Sequence, residues 1–89
     1  MKLNLFVIFQ ENPDGTGILF NPESNQPVKL NRTGAFICRQ LTGNAGIGQV
    51  AAAFAAEFSI SPERARADVE NFIGALDRKG FLETPLDPR

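Results

Sequence analysis

The stretch from Ser61 to Leu82 leaves this chain the least freedom, because it carries the start, the stripe and the stop of one helix. Ser61 offers a hydroxyl to the free amides of a first turn, and Pro62 brings a ring whose fixed φ suits the first helical position. Ala65, Val69, Phe72, Ile73 and Leu76 then fall at i, i+4, i+7, i+8 and i+11, one apolar stripe that the rest of the chain must cover. Arg78 and Lys79 sit in the last turn, where cations favour the negative end of the macrodipole, and Gly80 suits a left-handed cap. Phe81 and Leu82 are expected to fold back as an apolar clamp.

The remaining residues supply a sheet and two more helices. Leu3 to Gln10 reads as a strand with Leu5, Val7 and Phe9 on one face and Phe6 and Ile8 on the other. That second apolar face needs a cover, either the chain's own loops or tail, with Leu86 available, or a partner or dimer contact. Cover from within the chain is the preferred reading. The turn Asn12-Pro13-Asp14-Gly15 leads to a second strand, Thr16 to Phe20, and residues 21–25 turn again into a third, Gln26 to Leu30. Pro27 cannot donate to a ladder, so this third strand lies at a sheet edge or begins there.

Asn31 can cap a helix in which Leu30, Gly34, Ile37 and Leu41 keep helical spacing, flanked by Phe36 and Cys38. A second helix is expected from Gly48 to Phe58, with Ile47, Val50, Phe54 and Phe58 on its stripe and five alanines that permit close approach. The resulting fold class is α+β, a winged-helix-like three-stranded antiparallel sheet followed by three helices (βββααα). It forms a single domain over residues 1–83, with 84–89 an irregular tail.

Composition removes several functional classes. With 89 residues the chain has one core and little room for an enclosed active site. It contains no histidine, so the commonest general base and metal ligand are both missing. Cys38 is on the apolar side of its helix with nothing to activate it, and as the sole cysteine it forms no internal disulfide. Gly43, Gly46 and Gly48 lack the following Lys-Ser/Thr of a phosphate cradle. No catalytic residue, metal site or cofactor is therefore expected. Met1-Lys2 and the apolar run after it have the outline of a signal peptide, but Asn4 interrupts the run and Gln10 to Pro13 lack a small-residue cleavage pattern. No stretch is long enough to span a bilayer, and a soluble cytoplasmic module is expected.

Two binding classes remain. The second and third helices could act as a helix-turn-helix in a small winged-helix DNA-binding regulator. Against this, Arg64, Arg66, Arg78 and Lys79 are matched by Glu63, Asp68, Glu70 and Asp77, and carboxylates beside phosphates repel. The formal net charge of -1 gives no long-range attraction either. Alternatively, an extended peptide could add along Gln26–Leu30 while its alternate side chains drop beside the third helix. Four or five new hydrogen bonds at about 1 kcal/mol each, less the ordering cost, would give roughly micromolar affinity. On the residue pattern alone, Pro27 and Lys29 as guards against edge-to-edge aggregation is the simpler reading of that strand.

The segments Ile18-Leu19-Phe20-Asn21-Pro22 and Val28-Lys29-Leu30-Asn31-Arg32-Thr33-Gly34-Ala35 resemble the PqqD-like family. So do Leu41-Thr42-Gly43 and Asp68-Val69-Glu70-Asn71-Phe72, leading to Leu76 and Gly80-Phe81-Leu82, and the resemblance runs over residues 5–83. It implies a RiPP precursor-peptide recognition element, a non-catalytic peptide chaperone. Such a module binds the leader of a ribosomally made peptide as an added strand between third strand and third helix. It then presents the leader to a modifying enzyme, often a radical SAM protein of the SPASM type. Carried onto this chain, the peptide-binding residues are Gln26, Val28, Lys29 and Leu30 on the strand, and Asp68, Phe72 and Ala75 on the helix. The opposite flank, Arg66, Ile73 and Asp77, is the alternative wall; Asp68 matches the family pattern and favours the first. Implied partners are the precursor peptide and the radical SAM enzyme, with no nucleic acid and no membrane, the chain being a monomer or weak homodimer. Whether the pathway makes pyrroloquinoline quinone or another peptide product stays open. Two departures stand out: Ile47-Gly48-Gln49 replaces a polar helix start, and Pro27 removes one donor from the docking strand.

Overall fold

A computed structural model describes residues 2–23 and 26–83. Its elements run β1 (Ile8–Glu11), β2 (Gly17–Asn21), β3 (Gln26–Leu30), α1 (Arg32–Gln40), α2 (Ile47–Phe58) and α3 (Pro62–Arg78), the α+β order read from the sequence. The sheet is an antiparallel meander ordered β1-β2-β3, so β1 and β3 are both edges. Pro27 therefore sits on an edge strand, where its missing donor is tolerated.

Each helix starts where a side chain satisfies the free amides. The Asn31 side-chain oxygen accepts from Gly34 N–H at 2.9 Å and starts α1 at the end of β3. Ser61 does the same for α3, accepting from Arg64 N–H at 3.1 Å. In α2 the cap is a glycine, and the Gln49 side chain reaches back to accept from Gly46 N–H at 3.0 Å, which ties down the apolar start. The far end of α3 closes as expected: Gly80 takes φ +79°, and Phe81 N–H donates to Leu76 C=O at 3.0 Å.

The core lies between the inner sheet face and the three helices. Leu19, Leu41, Val50, Val69 and Cys38 are its largest fully enclosed side chains. Of the α3 stripe, Ala65, Val69, Ile73 and Leu76 are buried, whereas Phe72 is half-buried at the margin. Phe36, Phe54 and Phe58 pack as a trio with centroids 4.9–6.1 Å apart, joining α1 to α2. Arg39 lies over the Phe36 ring at 5.2 Å and bonds Glu11 at 2.9 Å, tying α1 to β1.

The first strand is shorter than the pattern of Leu3 to Gln10 predicts, and Asn4 is the reason. Its side-chain oxygen accepts from Phe6 N–H and its carbonyl from Val7 N–H, both at 3.0 Å, which turns the chain where extension was expected. Leu5 consequently leaves the face it would have shared with Val7 and Phe9 and is 79% exposed. Phe6 and Ile8 remain exposed as well. Leu86, the expected cover, and the expected irregular tail of residues 84–89 lie outside the described residues. Before the turn, Leu3 pairs with Leu82 in an isolated antiparallel bridge. Around it Leu3 N–H donates to Leu41 C=O, Asn4 N–H to Phe81 C=O and Glu83 N–H to Lys2 C=O.

Candidate functional site

The backbone of β3 decides what its free edge offers. Successive residues in a strand direct their N–H and C=O groups to opposite sides. Asn12 N–H donates to Thr16 C=O at 2.8 Å, which makes Asn12–Thr16 a hydrogen-bonded pair of the β1–β2 ladder. Counting on in steps of two, Ile18 and Phe20 face β1, so Gly17, Leu19 and Asn21 face β3. Their partners Leu30, Val28 and Gln26 thus face β2, and Pro27 and Lys29 point away from the sheet. The edge presents the N–H and C=O of Lys29 but only the C=O of Pro27. At Asn31 the edge keeps only an outward N–H, because the Asn31 carbonyl accepts from Ala35 N–H in the first turn of α1.

Beside this edge lies a groove of about 1160 Å³. Val28, Lys29 and Leu30 form one side, and Arg64, Asp68, Asn71 and Phe72 of α3 form the other. Thr33 and Ile37 of α1, with Phe54 of α2, line it between them, and Asn12 and Thr16 of the β1–β2 turn stand at one end. A Cβ on Gly34 would meet the Phe72 ring at 3.1 Å, so the absence of a side chain there lets Phe72 lie against α1. The groove opens on the Asp68 and Phe72 flank of α3. On the other flank Ile73 is buried, and Arg66 faces a separate small cavity with Pro62 and Ala51.

Of the residues singled out from the sequence, Val28, Lys29, Leu30, Asp68 and Phe72 come together around the groove. Gln26 opens β3 at its far end, and Ala75, one turn beyond Phe72, is half-buried and not among the lining residues. Arg64 and Asn71 lie on the same flank, and helical spacing from Asp68 (i−4 and i+3) was the signal for them. Thr33, Ile37 and Phe54 carried no such signal, since only the packing of α1 and α2 brings them there.

The chemistry of the groove is apolar with a few polar groups at its rim. Arg64 and Asp68 pair at 3.6 Å across one helical turn, as Arg66 and Glu70 do at 2.7 Å on the other flank. Asp14 accepts from the Thr16 hydroxyl at 2.6 Å and from Thr16 N–H at 3.0 Å, and these bonds hold its carboxyl below the usual range. Burial pushes the Cys38 thiol up to about 12. Among the described residues no three His, Cys, Asp or Glu side chains are grouped as metal ligands, and no helix is long and apolar enough to cross a membrane.

Comparison with known proteins agrees with this architecture. TbiB1, solved in complex with the TbiA(beta) leader peptide, is 24% identical over 98% of this chain and 100% of that one, with a TM-score of 0.85. Lasso peptide synthetase B1 complexed with the leader peptide is 21% identical over 90% of this chain and 93% of that one, with a TM-score of 0.76. The PqqD truncation of Methylobacterium extorquens PqqCD, a functional and stand-alone RiPP recognition element, is 19% identical over 93% of this chain and 87% of that one, with a TM-score of 0.75. At these identities the likeness establishes a shared fold. Comparison with curated protein sequences gives no match. The family model described as Coenzyme PQQ synthesis protein D (PqqD) matches residues 16–82, which takes in β2, β3 and all three helices, and the chain belongs to the PqqD family.

Proposed function

We propose that this protein recognises the leader of a ribosomally made precursor peptide by adding it as a strand along β3 and presents it to a separate modifying enzyme. The observation that carries the reading is the open groove between the free β3 edge and α3, in a fold shared with two proteins solved with leader peptides. Backbone bonds at the edge hold the guest, and apolar side chains entering the groove select it. The edge from Pro27 to Asn31 offers four hydrogen-bonding groups, where a residue other than proline at position 27 would make five. Losing one bond of about 1 kcal/mol weakens binding by roughly 5-fold, within the micromolar range.

On this reading the protein is non-catalytic and works in the cytoplasm. It acts as a monomer or weak homodimer, and its client enzyme is of the radical SAM/SPASM type. The absence of histidine and the enclosed Cys38 support a binding rather than a chemical role. The carboxylates paired one turn from Arg64 and Arg66 weigh against nucleic acid as the partner.

The test is a titration of ¹⁵N-labelled protein with the leader of a precursor encoded beside its gene. Amide shifts centred on Val28, Lys29 and Leu30 are expected. Unmoved amides there at high peptide concentration refute strand addition.

A further inference from the structure

The backbone geometry of β3 says more about the guest than that it is extended. Lys29 is the one edge residue that offers both a donor and an acceptor; Pro27 offers an acceptor alone. In antiparallel addition, a single guest residue facing Lys29 can exchange both bonds with it as a close pair. The next outward guest residue finds only the Pro27 carbonyl, and its own carbonyl goes without a donor. An antiparallel ladder would therefore have one full rung, and that rung would fix where the guest sits.

Side-chain direction then follows from the pleat. The guest residue facing Lys29 puts its side chain on the outer face of the sheet, alongside that of Lys29. Its two neighbours point to the inner face, opposite Leu30 and Val28, into the part of the groove lined by Ile37 and Phe72. The Lys29 side chain is exposed, and among the described residues no carboxylate pairs with it. The Arg64 and Asp68 charges of the opposite wall already pair with each other. An anionic guest side chain is thus favoured at the central position, and apolar ones at the two flanking it.

We propose that Lys29 sets the register of the bound strand, and that the segment recognised carries an apolar–acidic–apolar triplet whose central residue exchanges both backbone hydrogen bonds with Lys29. This rests on the strand-addition reading above and adds the sequence and register of the guest to it.

The experiment begins with a phage-displayed library of random nine-residue peptides selected on the intact protein. Peptides with Asp or Glu between two apolar residues are expected to be enriched. The same selection on Lys29→Glu, an exposed position whose folding is checked by circular dichroism, is expected to replace the central acid with Lys or Arg. A synthetic copy of the best binder is then N-methylated one residue at a time and measured by fluorescence anisotropy. Methylation at the central residue is expected to weaken binding at least about 10-fold, and at either neighbour less than about 3-fold, because only the central N–H points at the edge. Pro27→Ala, which restores a donor, is expected to tighten binding about 5-fold. Binders whose central residue ignores the charge at position 29, or whose sensitive N–H groups flank the acidic residue, overturn the register while leaving strand addition standing. A library that yields no binder overturns strand addition and this inference with it.

Discussion

Replacing Asn31 by alanine removes the joint between the docking edge and the floor of the groove. The Asn31 side-chain oxygen accepts from Gly34 N–H at 2.9 Å and from the Thr33 hydroxyl at 3.0 Å. Loss of an N-cap typically costs about 1 kcal/mol, within a range of roughly 0.5–2. Gly34 is buried, so water does not readily replace the lost acceptor, which puts the expected cost near 1.5 kcal/mol. In a domain of this size each kcal/mol moves Tm by about 4–8 °C, so Asn31→Ala should melt about 6–12 °C lower by calorimetry, with an unchanged urea m-value. Asn31→Asp keeps the acceptor and adds negative charge to a helix with no acidic residue in its first turn. It should match or exceed the wild type at neutral pH. The cap amides depress the new carboxyl in the folded state, so its contribution is complete above the unfolded pKa of about 3.9 and is lost as pH falls through the lower folded value. An alanine variant as stable as the wild type, or an aspartate variant as weak as alanine at neutral pH, would refute the idea that this cap positions α1.

Phe72→Ala should cost about 2 kcal/mol, because the ring is only half-buried, and should weaken leader binding about 10-fold or more; Arg66→Ala on the other flank should leave binding unchanged in the same titration. With its thiol pushed up to about 12, Cys38 should resist a disulfide reagent at about pH 8 until the protein is unfolded. Since its folded pKa is raised, stability from this group is full below 9.0 and falls as pH rises from there toward about 12, which alkaline denaturation can follow. Phe6→Glu alters a side chain that is 68% exposed, so stability should stay within about 0.5 kcal/mol and sedimentation should be unchanged; a loss of mass on substitution would make that face a subunit contact.

Where local chemistry and packing agree, the sequence was legible. Ser61-Pro62, the stripe from Ala65 to Leu76 and Gly80 all point to one helix, and α3 runs Pro62–Arg78. Asn31 carried both the end of β3 and the start of α1. The opening strand was misread because Leu5, Val7 and Phe9 alternate as a strand should, while Asn4 makes a local turn that outweighs the alternation. A single asparagine in an apolar run is weak evidence until its hydrogen bonds are visible.

The candidate site divides in the same way. The flank of α3 could be ordered by helical spacing, which links Arg64, Asp68, Asn71 and Phe72. Ile37 and Phe54 could not be placed in the groove, because each lies on a stripe that reads as core and only the packing of α1 and α2 brings it to the groove floor. The orientation of the Pro27 nitrogen depended on ladder parity, which is set by where the Asn12–Thr16 turn closes rather than by Pro27 itself.

The stitch between Leu3 and Leu82 encloses nearly the whole described chain in one loop. Lengthening a loop adds little to its closure cost, about 0.6 kcal/mol per doubling, but the two sides meet only once the layers between them are assembled. This hem is therefore expected to be the last seam to close in folding and the first to part in native fluctuations. The amides of Leu3, Asn4 and Glu83 should exchange with solvent well before those inside α1, and they should do so while the edge of β3 keeps its shape.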